Sequence, residues 1–234
     1  MQVAIIDMGI GNLRSVEQAL STVAPDANVL ITADADTIDS ADKVVLPGQG
    51  AIGTWFEALR HKNLTAVLQR ALEQKPLLGI CVGMQALFEH SDEDGGVDGL
   101  GVFNGRVCHF RDFHAPNTKS ISSSVGALDL AETNARTNLF KIPQMGWNQV
   151  AQAQEHPLWN GIENDAYFYF VHSYCANMTP SVETSCVVGE TDFGHNYVSA
   201  VAEKNIFAVQ FHPEKSHTDG LQLLRNFTQW NGGN

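Results

Sequence analysis

Pro76-Leu77-Leu78-Gly79-Ile80-Cys81-Val82-Gly83-Met84-Gln85 decides how the rest of the chain is read. A short apolar run ends at a cysteine, with glycines on both sides of it, and residues compatible with a helix follow at once. So short an apolar run suits a strand buried on both faces, as in a parallel sheet. A strand that turns directly into a helix exposes its corner side chain at the carboxyl edge of the sheet. Open α/β sheets take their ligands at that edge. Gly79 and Gly83 let neighbouring backbone pass close and tolerate a strained turn. Cys81 is therefore a candidate nucleophile, and the helix start favours the thiolate, its attacking form. The plainer alternative is a buried structural cysteine, since free Cys is among the most buried residue types.

The segments around this corner fit a parallel sheet. Upstream, Val3 to Asp7 is another short apolar run. A turn through Gly9, Gly11 and Asn12 follows, then a helix with Leu13, Val16, Leu20 and Val23 on one face, for which Asn12 is a suitable N-cap. Val29 to Ile31 and Lys43 to Leu46 read as strands, the latter closed by Pro47-Gly48. Trp55 to Leu59, Leu64 to Leu72 and Met84 to Phe88 read as helix. Strands alternating with helices imply βαβ units.

Downstream the pattern changes. Val102 to Phe110, Tyr167 to His172, Val187-Val188, Val198 to Ala202 and Ile206 to Phe211 are strand-like with short links, and they extend the sheet in mixed or antiparallel sense. Tyr167, Tyr169 and Phe170 read as core aromatics of a strand. A last helix carries Leu221, Leu224, Phe227 and Trp230. Ala115 to Phe140, rich in Ser, Thr, Asn and Ala, has little periodicity and reads as a surface insertion. The expected architecture is α/β: an open mixed, mostly parallel sheet flanked by helices, in one domain over residues 1–234.

Composition excludes several classes. The chain has 234 residues, 44% of them hydrophobic, enough for one sizeable core. A formal net charge of −12 repels phosphate-rich partners, so no nucleic acid is expected. The four cysteines, Cys81, Cys108, Cys175 and Cys186, form no CxxC pair and read neither as a metal knuckle nor as a disulfide framework. The N-terminal residues resemble a first strand and not a signal peptide, and no apolar run is long enough for a bilayer. The expectation is a cytoplasmic protein with no membrane contact, cofactor or metal.

A second chemical motif lies far along the chain, in Phe207-Ala208-Val209-Gln210-Phe211-His212-Pro213-Glu214. His212 and Glu214 are two apart, so in extended backbone they point to the same side, and Pro213 favours an extended His212. Glu214 can then accept from one imidazole nitrogen, fix the tautomer and leave the other for Cys81. An ordinary surface ion pair is the alternative. His212, Glu214 and His217 do not have the spacing of a helical zinc site.

Together, Gly79-Ile80-Cys81-Val82-Gly83-Met84-Gln85 and Gln210-Phe211-His212-Pro213-Glu214 resemble the class I (triad) glutamine amidotransferases, whose fold is flavodoxin-like. Gly11-Asn12-Leu13-Arg14-Ser15-Val16, Leu46-Pro47-Gly48-Gln49-Gly50, Met145-Gly146-Trp147-Asn148, Tyr169-Phe170-Val171-His172-Ser173-Tyr174 and His212-Pro213-Glu214-Lys215-Ser216 are similar to one branch of that family, the glutaminase subunits of imidazole glycerol phosphate synthases. The chain departs from that branch at Gln144, where a histidine is usual, at Gln49, where valine is common, and in its longer insertion.

The resemblance implies Cys81 as nucleophile, His212 as base and acid, and Glu214 as its orienter. It implies an oxyanion site at Val82 N–H and the Gly48-Gln49-Gly50 loop. Gln85, Glu93 and the His172-Ser173-Tyr174 backbone would bind the amino-acid end of glutamine, although Gln85 and Glu93 also fit a solvated helix face. Asn12, Trp147 and Lys215 would meet a (β/α)8-barrel cyclase in a heterodimer, through which ammonia passes into histidine synthesis; Trp147 fits a core position equally well. The rivals are a subunit serving another synthase, such as a sugar-amidating one, a non-catalytic module of the same fold, and a cysteine peptidase.

Overall fold

In the computed structural model, residues 1–112, 141–177 and 184–233 are described. The expected insertion at Ala115 to Phe140 lies outside them. The first half alternates as its sequence implies: β1 (Gln2–Ile6), α1 (Leu13–Val23), β2 (Asn28–Thr32), α2 (Ala35–Ser40), β3 (Lys43–Gly48), α3 (Ile52–His61), α4 (Thr65–Gln74), β4 (Leu77–Cys81) and α5 (Val82–Gln85). The second half supplies β5 (Phe88–Ser91), β6 (Val97–Asp98), β7 (Phe103–His109), β8 (Gln144–Gln152), β9 (Ala166–His172), β10 (Tyr174–Asn177), β11 (Val187–Asp192), β12 (Asn196–Glu203) and β13 (Ile206–Val209), then α6 (His217–Gln229).

The strands run in the order β2-β1-β3-β4-β13-β12-β10-β7-β5-β6. The first five are mutually parallel, an order in which β13 takes the fifth place of a flavodoxin-like sheet. From β13 onward most pairings are antiparallel, and β11, β8 and β9 branch off β12. The central strands β3, β4 and β13 are buried throughout, which explains their unbroken apolar runs. Right-handed crossovers put α1 on one face of the sheet and α2 to α4 on the other. The contacts agree, since α1 packs on α6 and α2 on α4.

Four local expectations need correction. The helix expected over Met84 to Phe88 is only the single turn Val82–Gln85, and Phe88 already begins β5. Asn12 makes no side-chain cap; its amide donates to Ser15 Oγ at 2.7 Å. Tyr167 is exposed and not core, because β9 alternates and turns Phe168, Phe170 and His172 inward. His212 is extended, but Glu214 sits in a 3-10 turn over Pro213–Lys215, so the two side chains meet through a turn and not along a strand.

Candidate active site

Cys81 ends β4 with φ 54° and ψ −113°. A positive φ on a residue with a Cβ is a strained conformation, costing about 1–3 kcal/mol, and such strain persists only where surrounding structure imposes it. Here the imposing contact is Gly83. A Cβ on Gly83 would stand 1.9 Å from the carbonyl oxygen of Leu46 in β3, so only glycine lets α5 lie this close to the neighbouring strand end. The sharp corner turns Cys81 into a cavity of about 400 Å³ at the carboxyl edge of the parallel strands.

β13, the parallel neighbour of β4, brings His212 to the same cavity. The His212 N–H donates to Tyr169 O of β9 at 2.9 Å, and its carbonyl accepts from Ser216 Oγ at 2.6 Å, so the ring's backbone is held from both sides. His212 Nδ1 lies 2.8 Å from Glu214 Oε1, and the two side chains are only 6% and 3% exposed. That closes the surface-pair alternative. Nε2 is also buried, with Cys81 close enough for its charge and a poorly aligned hydrogen bond to act on the ring. Burial alone pulls the His212 pKa down. Cys81, by charge and by hydrogen bonding, and then Glu214 outweigh it and push the pKa up to about 10.

Behind the thiol stands a residue that sequence reasoning did not single out. Gln210 Nε2 lies 3.7 Å from Cys81 Sγ, and Gln210 Oε1 accepts from Gln85 Nε2 at 2.9 Å. Gln85 Nε2 also donates to Tyr174 O at 3.0 Å. The signal for Gln210 was present: a polar residue inside the apolar run Phe207 to Phe211, two before His212 and so on the same side.

Of the expected binding residues, Gln49, Gly50, Val82, Gln85, Glu93, His172, Ser173 and Tyr174 all line this cavity. Gln85 is buried, not a solvated face. Glu93 accepts from Ile52 N–H at 3.0 Å; burial raises its pKa, the Ile52 bond opposes this, and Asp94 adds to it. Gly48 does not reach the cavity. It lies behind it, lining a narrow crevice with Asn12, His212 and Glu214. Gln49 turns its Oε1 to accept from Asn12 N–H at 3.3 Å, tying the loop after β3 to the turn after β1.

Lys215 is exposed at the cavity rim, with Nζ 5.8 Å from the Tyr169 ring centre. Trp147 is 45% exposed, which excludes the core alternative, and stacks on the His217 ring at 5.1 Å and 7°. Pro143, Tyr169 and Val171, none of them expected, complete the wall. Among the described residues no group of three His, Cys, Asp or Glu is arranged to hold a metal, and no helix is long and apolar enough to cross a membrane.

A flavodoxin-like sheet with a cysteine elbow, an adjacent histidine and a buried glutamate behind it defines the triad class of amide-processing enzymes. The sequence matches the family Glutamine amidotransferase class-I over residues 4–230, and the chain belongs to that family. Its relatives include the imidazole glycerol phosphate synthase subunit HisH of Nitrosococcus oceani, 47% identical over 230 residues, with 98% of each chain covered. The subunit HisH 1 of Pseudomonas aeruginosa is 46% identical over 230 residues, covering 98% of this chain and 97% of its own. A crystal structure of a glutamine amidotransferase aligns over 97% of both chains with a TM-score of 0.63 at 16% identity, a likeness of fold.

Proposed function

We propose that this chain is the glutaminase subunit of an imidazole glycerol phosphate synthase, acting as a single domain in the cytoplasm. It hydrolyses glutamine to glutamate and ammonia and passes the ammonia to a (β/α)8-barrel cyclase subunit of histidine synthesis. The observation that carries the chemistry is Cys81 beside His212 at one sheet edge, with Glu214 buried on the far nitrogen of the ring.

Glutamine enters the cavity with its carboxamide over Cys81. The thiolate attacks the carbonyl carbon, and backbone N–H groups of Val82 and of the Gln49-Gly50 loop hold the oxyanion. Such donors contribute about 3–4 kcal/mol each. His212, charged at neutral pH by its raised pKa, gives its Nε2 proton to the departing nitrogen, and ammonia leaves a thioester on Cys81. The neutral ring then draws a proton from water, which attacks the thioester and releases glutamate. Glu214 holds the ring in one orientation throughout. Gln85, Glu93 and the His172-Ser173-Tyr174 bend bind the amino-acid end.

Ammonia released into water protonates and loses its nucleophilicity, so a sheltered exit is needed. The cavity rim supports a protein partner there. Met145, Trp147 and Tyr167 are large, exposed and carried on the paired strands β8 and β9, where Met145 and Trp147 stand opposite the cavity-lining Val171 and Tyr169, and Lys215 lies over the Tyr169 ring. Aromatic side chains of this kind are enriched at interfaces. The test is glutamate release with the cyclase subunit present. Cys81→Ala should abolish it, and unchanged turnover in that variant would end the assignment.

A further inference from the structure

β9 ends at His172 and β10 begins at Tyr174, so the chain changes partner strands across the single residue Ser173. This bend forms one wall of the cavity. A buried ring staples it, for His172 Nδ1 lies 2.7 Å from Tyr174 O. A carbonyl oxygen can only accept, so Nδ1 carries the proton. Burial lowers the pKa of this ring to about 4 against the pull of the Tyr174 carbonyl, and His212 nearby adds to the lowering. The ring is therefore neutral at neutral pH, and Nε2 bears a lone pair that needs a donor.

The group facing Nε2 is the Tyr197 hydroxyl, at 3.3 Å. The same hydroxyl is 2.9 Å from the side-chain amide of Gln144, which stands directly across from His172 in the β8–β9 ladder. One hydroxyl proton serves one acceptor. With Gln144 Oε1 turned to Tyr197, that proton goes to Gln144, His172 Nε2 is left without a donor, and the buried Gln144 Nε2 has no partner either. Exchanging the amide oxygen and nitrogen, which have nearly the same shape, gives His172 Nε2 its donor and Gln144 Nε2 its acceptor, and leaves Oε1, an acceptor, in the place without a partner. Gln144 Nε2–H then donates to the Tyr197 oxygen, and the Tyr197 proton is free for His172. The Thr191 hydroxyl is buried near enough to act on the same oxygen, but makes no aligned hydrogen bond to it.

We propose that Gln144 and Tyr197 are positioning residues of the glutamine cavity. A one-way chain of buried hydrogen bonds runs from Gln144 Nε2–H to Tyr197, from Tyr197 O–H to His172 Nε2, and from His172 Nδ1–H to the Tyr174 carbonyl. Gln85 is held against that carbonyl, and Gln85 in turn holds Gln210 beside Cys81 Sγ. The proposal rests on the reading of this cavity as the glutamine site. Neither residue touches the cavity's reacting end; each acts through His172.

Tyr197→Phe removes one oxygen and keeps the ring packed against Phe110 and Phe170. In the glutamate-release assay with the cyclase subunit present, the KM for glutamine should rise about fivefold to tenfold while kcat stays within about twofold, because a binding wall is loosened and the triad is not. Gln144→Met leaves the Tyr197–His172 bond intact and should give a smaller rise. Nitrogen-15 NMR of the histidine side chains supplies a reading that general destabilisation does not move. The unmodified chain should show His172 with its proton on Nδ1, and Tyr197→Phe should displace the Nε2 resonance. A proton on Nε2 in the unmodified chain, or unchanged KM in Tyr197→Phe, overturns the proposal. Should Tyr197→Phe fail to fold, the tautomer and Gln144→Met decide it. Absence of glutamate release by the unmodified chain would count against the proposed function, and the tautomer alone would then decide the chain of hydrogen bonds.

Discussion

At the scale of single residues, the strained backbone of Cys81 separates stability from activity. A glycine adopts φ 54° without the Cβ clash, whereas alanine keeps it. Cys81→Gly should therefore be more stable than Cys81→Ala by about 1 kcal/mol in denaturant unfolding, with no glutamate release from either. Equal midpoints would show that the corner carries no strain. Glu214→Gln keeps an acceptor near His212 Nδ1 and loses the charge that helps raise the ring's pKa. It should lower kcat by about 10- to 100-fold, and Glu214→Ala by more; steady-state rates of glutamate release compare them. Cys81, His212 and Glu214 were legible because each motif is local and chemically unusual in its setting. Gln210 and Tyr197 were not singled out, because their roles depend on which distant side chain a strand brings opposite them, and one sequence does not give that pairing.

Among the elements, the corner between β4 and α5 is built by close backbone approach, so its glycines bear more than neighbouring side chains do. Gly83→Ala drives a Cβ into Leu46 O and should destabilise the fold by about 2–3 kcal/mol, measured by chemical denaturation. A loss under about 0.5 kcal/mol would mean that α5 shifts freely. The parallel strands were easy to read, since burial on both faces leaves unbroken apolar runs. Ala86-Leu87-Phe88 misled because all three are buried, and so short a run has no period to tell helix from strand. β8 was overlooked for the opposite reason. Its exposure alternates, Met145, Trp147, Gln149 and Ala151 facing out, but the inward positions Gln144, Gly146, Asn148 and Gln152 are polar or small, so the sequence shows no apolar face.

For the whole molecule, three buried histidines shape stability against pH. Burial lowers His156 and His172 to about 4, so their contribution is complete above 6.5 and is lost as pH falls through about 4. His212 is raised to about 10, so its contribution is complete below 6.5 and is lost as pH rises through about 10. In His156→Phe, whose ring still packs against Phe207 and Trp230, the gap in thermal midpoint from the unmodified chain should narrow between pH 6.5 and about 4. A constant gap would mean that His156 does not titrate in that window. The layered α/β architecture was legible from the alternation of elements, but the branching of β8, β9 and β11 from one strand was not, because antiparallel partners leave no trace in spacing.

β13 is late in the chain yet lies at the middle of the sheet, between β4 and β12. Until residues 206–209 are made, a growing polypeptide has a gap between those two strands, and Cys81 stands at the gap's edge without its histidine. On the proposed mechanism, synthesis order guards the chemistry: Cys81 is made early, and the histidine that serves it comes only with the strand that completes the sheet.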